Sequence, residues 1–316
     1  TEGDERILSF SDISRMSIRY AHVLLDNGIA RGDRVIVALR RHYQYWPLAV
    51  ALHRIGAVMI PVTHMLTSSD YAYRLKTSEA KAAIVTPLGS TAENILSAVR
   101  SAGLDTQLWT IERDIEGYRN FSEEEKDKCD ELERIETRAT DPMLIYFTSG
   151  TTGYPKGVVH DYTYPLAHIV TAAYWQGAED NGLHFTVAET GWAKASWGKI
   201  YGQWLTGSAV MAYDFDNFDP GQLVSIINRY GVTSFCAPPT VYRYLVKKGI
   251  EAMPTLRHAS TAGEYLNPEI FQRFHEKTGL YLNEGYGQTE TTLLSANYRG
   301  IKNKEGSMGV MSPLYT

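Results

Sequence analysis

The 316-residue sequence has only two cysteines, Cys129 and Cys236, far apart and in no C-x-x-C pair, so no disulfide framework is indicated. No apolar run approaches the roughly 18 to 20 residues of a membrane span. The opening residues, Thr-Glu-Gly-Asp-Glu, do not read as a signal peptide, and a reducing cytoplasm is the expected location. The sequence does not start on Met, which leaves room for an upstream segment. An excess of basic charge is also missing. With 31 Lys and Arg against 36 Asp and Glu the formal balance is −5, so nothing suggests a nucleic-acid partner, although that balance does not exclude nucleotides. Internal repeats are not evident.

Apolar residues make up 44% of the chain, enough for a well-filled core in one large α/β domain or two smaller ones. The pattern predicts a short strand over Arg6 to Phe10, a helix capped by Ser11 or Asp12 and ended by Gly28, and strand Arg34 to Leu39. A helix over Tyr45 to Ile55 follows, with Pro47 in its first turn, then strand Val58 to Val62. The alternation continues to strand Gln107 to Ile111. It predicts βαβ units, hence mostly parallel sheets flanked by helices. Glu112 to Asp141 break this rhythm with charges of both signs and are expected to form a solvated helical excursion. Two α/β subdomains are therefore expected, 1–140 and 141–316. In the second, Asp219-Pro220 and Asn267-Pro268 mark helix starts, and Cys236 is expected to be a buried small side chain.

The chemistry concentrates between Tyr146 and His160. Apolar Met143 to Phe147 lead into Thr148-Ser149-Gly150-Thr151-Thr152-Gly153, only hydroxyls and glycines, and then Tyr154-Pro155-Lys156-Gly157. Glycines let a backbone approach an anion, hydroxyls add donors, and Lys156 supplies a point charge, so the loop suits phosphate. It is not a Walker A sequence, because Lys156 lies between Pro155 and Gly157. His160 alone reads as structural.

A second stretch, Glu284-Gly285-Tyr286-Gly287-Gln288-Thr289-Glu290, follows strand Leu280 to Asn283. With a helix expected to start near Gln288, it puts an aromatic, a hydroxyl and a carboxylate at the C-terminal edge of a sheet, where open α/β folds bind ligands.

The two motifs together resemble the adenylate-forming superfamily of acyl-CoA synthetases, firefly luciferases and peptide-synthetase adenylation domains. Tyr146 to Gly157 looks like its phosphate loop, Tyr286 to Glu290 like its second core motif, and Gly263-Glu264 like its adenine-side motif. Glu189-Thr-Gly-Trp192, Ala237-Pro-Pro-Thr-Val-Tyr-Arg243 and Gly263 to Glu269 resemble the medium-chain acyl-CoA synthetase branch, with Glu189 where that branch usually has Asp.

The resemblance implies a two-step acid–thiol ligase using ATP, Mg²⁺ and coenzyme A on a small carboxylic acid, a short- or medium-chain fatty acid or a related acid. Thr148 to Lys156 would hold the phosphates. Gly263, Glu264 and Glu284 to Tyr286 would line the adenine, with Tyr286 stacked on it, and Gly287, Gln288 and Thr289 would complete the nucleotide site. Thr289 would contact the α-phosphate or the acid, Glu290 would ligate Mg²⁺, and Trp192, Gly263 and Gly287 would border the acyl pocket. Lys156, Thr289 and Glu290 are thus the candidate catalytic residues. The family continues beyond these motifs into a mobile C-terminal domain, so this stretch is expected to be an N-terminal-domain fragment with little synthetase activity by itself. A carrier-loading adenylation domain and a non-catalytic nucleotide-binding module remain open alternatives.

Overall fold

The computed structural model describes residues 5–148, 153–215, 217–250 and 252–315. Two compact units result: residues 1–162 with 190–192, and residues 163–189 with 193–316.

Unit one runs α1 (Phe10–Asp26), β1 (Arg34–Ala38), α2 (Tyr45–Ile55), β2 (Val58–Pro61), α3 (Ser68–Ser78), β3 (Ala82–Val85), α4 (Thr91–Ala102), β4 (Gln107–Thr110), β5 (Arg119–Asn120), α5 (Phe121–Glu124), β6 (Pro142–Thr148) and β7 (Lys156–Asp161). Its sheet has the order β5-β4-β3-β1-β2-β6-β7, parallel except for the β6–β7 pair. β2 (Val-Met-Ile-Pro) and β3 (Ala-Ala-Ile-Val) are buried throughout, as a parallel sheet covered on both faces requires. Tyr71, Leu75, Ile95 and Val99 from α3 and α4 pack on Ile36, Ile60, Ala83 and Val85. Each fully buried aliphatic side chain here contributes about 1.5–3 kcal/mol.

The expected alternation holds, with local corrections. Arg6 to Phe10 form no strand. Ser9 caps α1 instead of Ser11 or Asp12, in a box whose third helical residue, Asp12, returns a bond to the Ser9 backbone. The charged stretch is not a helical excursion either: within it only Phe121–Glu124 is helical. The rest is tied to α1 and its neighbours by Arg19–Asp130 at 2.5 Å, Lys128–Asp26 at 2.6 Å and Arg31–Asp141 at 2.7 Å. Surface pairs of this kind are individually weak, about 0–1 kcal/mol.

Unit two contains α6 (Tyr164–Val170), a π turn (Thr171–Trp175), β8 (Leu183–Thr186), α7 (Ala193–Gly198), α8 (Tyr201–Leu205), β9 (Ala209–Met211), α9 (Pro220–Tyr230), β10 (Ser234–Ala237), α10 (Pro239–Lys248), β11 (His258–Thr261), α11 (Pro268–Thr278), β12 (Leu282–Gly287), β13 (Leu293–Ala296) and β14 (Val310–Met311). Sheet order is β14-β13-β12-β11-β10-β8-β9; β8 to β12 pair in parallel, and β13 and β14 return antiparallel. Asp219-Pro220 and Asn267-Pro268 start α9 and α11 as expected, each with its acidic or amide side chain bonded to backbone N–H groups of the first turn.

α9, α10 and α11 cover one sheet face with Leu223, Ile227, Tyr242, Leu245 and Phe274. On the other, Trp175, Trp197 and Cys236 form a separate buried cluster with Ala262, Leu293, Ala296 and Tyr298, so Cys236 is buried as expected. That face is polar where strands align: Cys236 lies in register with Thr186 and Ser260, and Ser260 with Asn283. Among the described residues, no helix is long and apolar enough to cross a membrane.

Candidate active site

In unit one the hydroxyl-rich loop joins the antiparallel strands β6 and β7, and Thr148 pairs with Lys156 at its base. Ser149, Gly150, Thr151 and Thr152 lie outside the described residues. Gly153 has φ +87°, a conformation that a residue with a Cβ resists. Tyr154 stacks on Tyr73 of α3 with ring centroids 5.3 Å apart, and the Tyr73 hydroxyl donates to the Pro155 carbonyl at 3.0 Å. Tyr73 therefore fixes the stem that presents Lys156. Sequence reasoning missed it, since nothing in α3 itself points to residues eighty positions away.

Lys156 is exposed and, among the described residues, forms no ion pair. Trp192 is 58% exposed. The segment before it is pinned to unit one: the Thr190 hydroxyl donates to the Leu39 carbonyl, and any Cβ at Gly191 would collide with Val62 and Thr63.

In unit two β12 carries Glu284 to Gly287 to the sheet edge. Gly285 and Gly287 are close-approach positions, because a Cβ would strike the indole of Trp175 at the first and of Trp197 at the second. The Trp175 indole N–H donates to the Asn283 carbonyl at 2.9 Å. Tyr286, between the glycines, is 42% exposed. Glu284 is buried, which raises its carboxyl above the usual range; a backbone hydrogen bond from Leu266 partly offsets this.

No helix starts at Gln288. Residues 288–291 form a turn into antiparallel β13, closed by Gln288 N–H donating to Thr291 Oγ1 at 3.0 Å and Thr291 N–H to the Gln288 carbonyl at 3.2 Å. Thr289 therefore has no helix N-terminus, and none of its dipole, beside it. Thr289 is partly buried, Glu290 is exposed at the turn, and Tyr315 OH accepts the Thr292 N–H at 2.8 Å behind them.

Glu264 is already engaged: its carboxylate accepts from Thr240 N–H at 3.2 Å and from Thr240 Oγ1 at 2.5 Å. Lys194, left unassigned from the sequence, donates to the Ala262 carbonyl at 2.8 Å. Burial lowers its ammonium below the usual lysine range against opposing pulls from Cys236 and Glu264. A lone cation between the aromatics of Trp-Ala-Lys-Ala-Ser-Trp was the available signal.

No group of three or more His, Cys, Asp or Glu among the described residues is placed to hold a metal ion. A single exposed carboxylate, Glu290, fits the way Mg²⁺ binds beside nucleotides, through one or two carboxylates plus phosphate oxygens and water.

Two largely parallel, helix-flanked sheets that carry their candidate residues on loops at strand ends define an α/β enzyme scaffold. The chain belongs to the AMP-binding enzyme family, whose profile matches residues 1–316. It is 35% identical over 317 residues to the human mitochondrial acyl-coenzyme A synthetase ACSM3, covering 99% of this chain and 54% of the relative. Mouse mitochondrial ACSM4 is 37% identical over 313 residues, with 98% and 54% covered. Among solved structures, an acyl-CoA synthetase from Brucella canis superposes with a TM-score of 0.88 at 28% identity, covering 98% of this chain and 57% of that one. An anthranilate CoA ligase, AuaEII, shares the fold at TM-score 0.89 and 23% identity, covering 98% and 60%. The chain thus spans about half the length of the curated relatives it matches. Those relatives are named as mitochondrial, which overturns the expectation of a cytoplasmic location.

Proposed function

We propose that the protein carrying this chain is an AMP-forming acid–thiol ligase that joins a carboxylic acid to coenzyme A. The observation that carries the reading is that Lys156 and Glu290, the motif cation and the motif carboxylate, are both exposed at strand ends of a chain about one-third identical to acyl-CoA synthetases along its length.

In the first half-reaction the acid's carboxylate, ionised at neutral pH without a general base, attacks the α-phosphorus of ATP. The bond to the bridging oxygen of pyrophosphate breaks, leaving an acyl-adenylate. In the second, the coenzyme A thiolate attacks the acyl carbon and expels AMP. Thr148 to Lys156 supply donors to the phosphates, Thr289 a hydroxyl at the α-phosphate or the acid, and Tyr286 a face for the adenine. Preorganised donors aimed at developing charge contribute about 3–4 kcal/mol each. Glu290 is the protein's ligand for Mg²⁺, which neutralises phosphate charge when bound. Gly287, packed against Trp197, is assigned to border the acid, and the acid is assigned to the short- and medium-chain or related class. Gly263, in the same unit as Gly287, is assigned to the acid as well, and Trp192 is assigned to acid binding from its own unit.

The reading assigns ATP binding to this chain and the complete reaction to a protein of the relatives' length. ATP–pyrophosphate exchange by the full-length protein, measured across straight, branched and aromatic acids, tests it. Exchange without any added acid dependence overturns it.

A further inference from the structure

Beyond β11 the chain makes a short excursion, Ala262 to Leu266, before α11. Three anchors define its shape. The Ala262 carbonyl takes the Lys194 ammonium at 2.8 Å. The Glu264 carboxylate takes both the N–H and the hydroxyl of Thr240. Leu266 seats its side chain, 4% exposed, in the core beside Tyr242 and Phe274. Between the anchors Gly263 stands at φ +99° with open space where a Cβ would be, and Tyr265 is 77% exposed.

The middle anchor has a second purpose. α10 begins Pro238-Pro239, and Pro238 offers no side-chain cap while Pro239 has no N–H to give. Thr240 therefore carries the first backbone donor of the helix, and Glu264, from 24 residues away, caps it. Two of the anchors are charge-assisted, the stronger class of hydrogen bond. Both bonds fall on Oε2, so one oxygen of the Glu264 carboxylate is committed to Thr240. What the excursion offers outward is the backbone of Gly263, and backbone N–H and C=O groups are what fix the orientation of a flat heterocycle in a pocket.

We propose that Lys194, Thr240 and Glu264 are positioning residues, holding the backbone of 262–266 in the shape that receives the nucleotide base without touching the nucleotide themselves. This rests on the reading that Gly263 and its neighbours face the adenine. It replaces direct nucleotide contact by the Glu264 side chain with an indirect role.

The test is calorimetric titration of the 316-residue chain with AMP, ATP and inorganic tripolyphosphate, with folding followed by circular dichroism. E264A and K194M each weaken AMP and ATP by about 10-fold and leave tripolyphosphate, which has no base, unchanged. E264Q restores most of the lost affinity, because its amide oxygen still accepts from Thr240, and T240V gives a smaller loss because the N–H remains. The inference is overturned if E264Q is as damaging as E264A, which would mean the carboxylate meets the nucleotide. It is equally overturned if E264A leaves AMP binding intact, or if tripolyphosphate affinity falls in parallel with AMP. Wild-type chain that binds tripolyphosphate but neither AMP nor ATP overturns the adenine reading itself, and the inference with it.

Discussion

Gly287 lies directly against the six-membered ring of Trp197, so close that a single added methyl group would overlap it. Each residue is thus sized by the other. Gly287→Ala is expected to cost about 1–3 kcal/mol through overpacking, and Trp197→Ala about 3–5 kcal/mol through the cavity it leaves. Combined, the two changes compensate only in part, since the methyl gains the space of the ring but still meets the Thr292 carbonyl oxygen at 2.5 Å. Urea melts of the two single variants and the double variant check this; strictly additive losses would show that the contact does not couple them. In the full-length protein Trp197→Ala should also shift pyrophosphate exchange toward longer acids.

Tyr73 holds the end of the phosphate loop by its hydroxyl and its ring. Tyr73→Phe keeps the stack and loses one hydrogen bond worth about 0.5–1.5 kcal/mol, so ATP affinity should fall about 2- to 10-fold. Tyr73→Ala loses both and should fall further. Titrations that rank the two variants equally would assign the whole effect to the hydroxyl.

Lys156 and Glu290 are exposed, so their replacement should leave folding unchanged while altering chemistry. Lys156→Ala should weaken ATP more than the acid. Glu290→Gln should abolish Mg²⁺-dependent exchange by the full-length protein. Undiminished exchange in Glu290→Gln would falsify its assignment to the metal.

Buried His184 donates and accepts between Ser234 Oγ at 2.7 Å and Thr186 Oγ1 at 2.8 Å. Burial, and then the nearby His258 and Lys199, push its pKa down from 6.5 to about 3. The unfolded chain therefore binds the proton first as pH drops. The stability from keeping this ring neutral is complete above pH 6.5 and is lost progressively as pH falls toward 3. Urea midpoints should decline across that window. His184→Leu should be less stable at pH 7, since Ser234 and Thr186 lose their partner, yet show a shallower acid decline. Some slope remains, because burial also holds His53 and His258 below the ordinary histidine range.

The alternation of elements was legible because most buried strands are short apolar runs and two helices, α9 and α11, announce their starts with Asp-Pro and Asn-Pro. Overlapping signals blurred the edges. Ser9, Ser11 and Asp12 are all cap residues, and only the structure shows Asp12 to be the return partner of Ser9. The stretch 112–141 looked like a charged helix because composition does not show that Asp130 and Lys128 find α1 more than a hundred residues away. At Gln288 a Thr-Glu pair after a strand reads as a helix start; the returning strand β13 makes it a turn instead. Motif chemistry singled out Lys156, Tyr286 and Glu290, all three of which are exposed. Tyr73, Lys194, Thr240 and Trp197 stayed hidden, because their roles exist only through tertiary neighbours.

The π turn at Thr171–Trp175 gives that helical segment one residue more than an α-helix of the same span. Its last residue, Trp175, must meet Asn283 with its indole and His258 with its carbonyl. Deleting one residue from 171–174 would remove that surplus and leave a regular α-helix of the same span, with Trp175 near its former phase, whereas inserting one more would turn it by about 100° about the axis. The segment thus holds one residue of slack ahead of β12: a one-codon deletion there should spare the glycines that bracket Tyr286, while a one-codon insertion should cost them the indole surface they were shaped to.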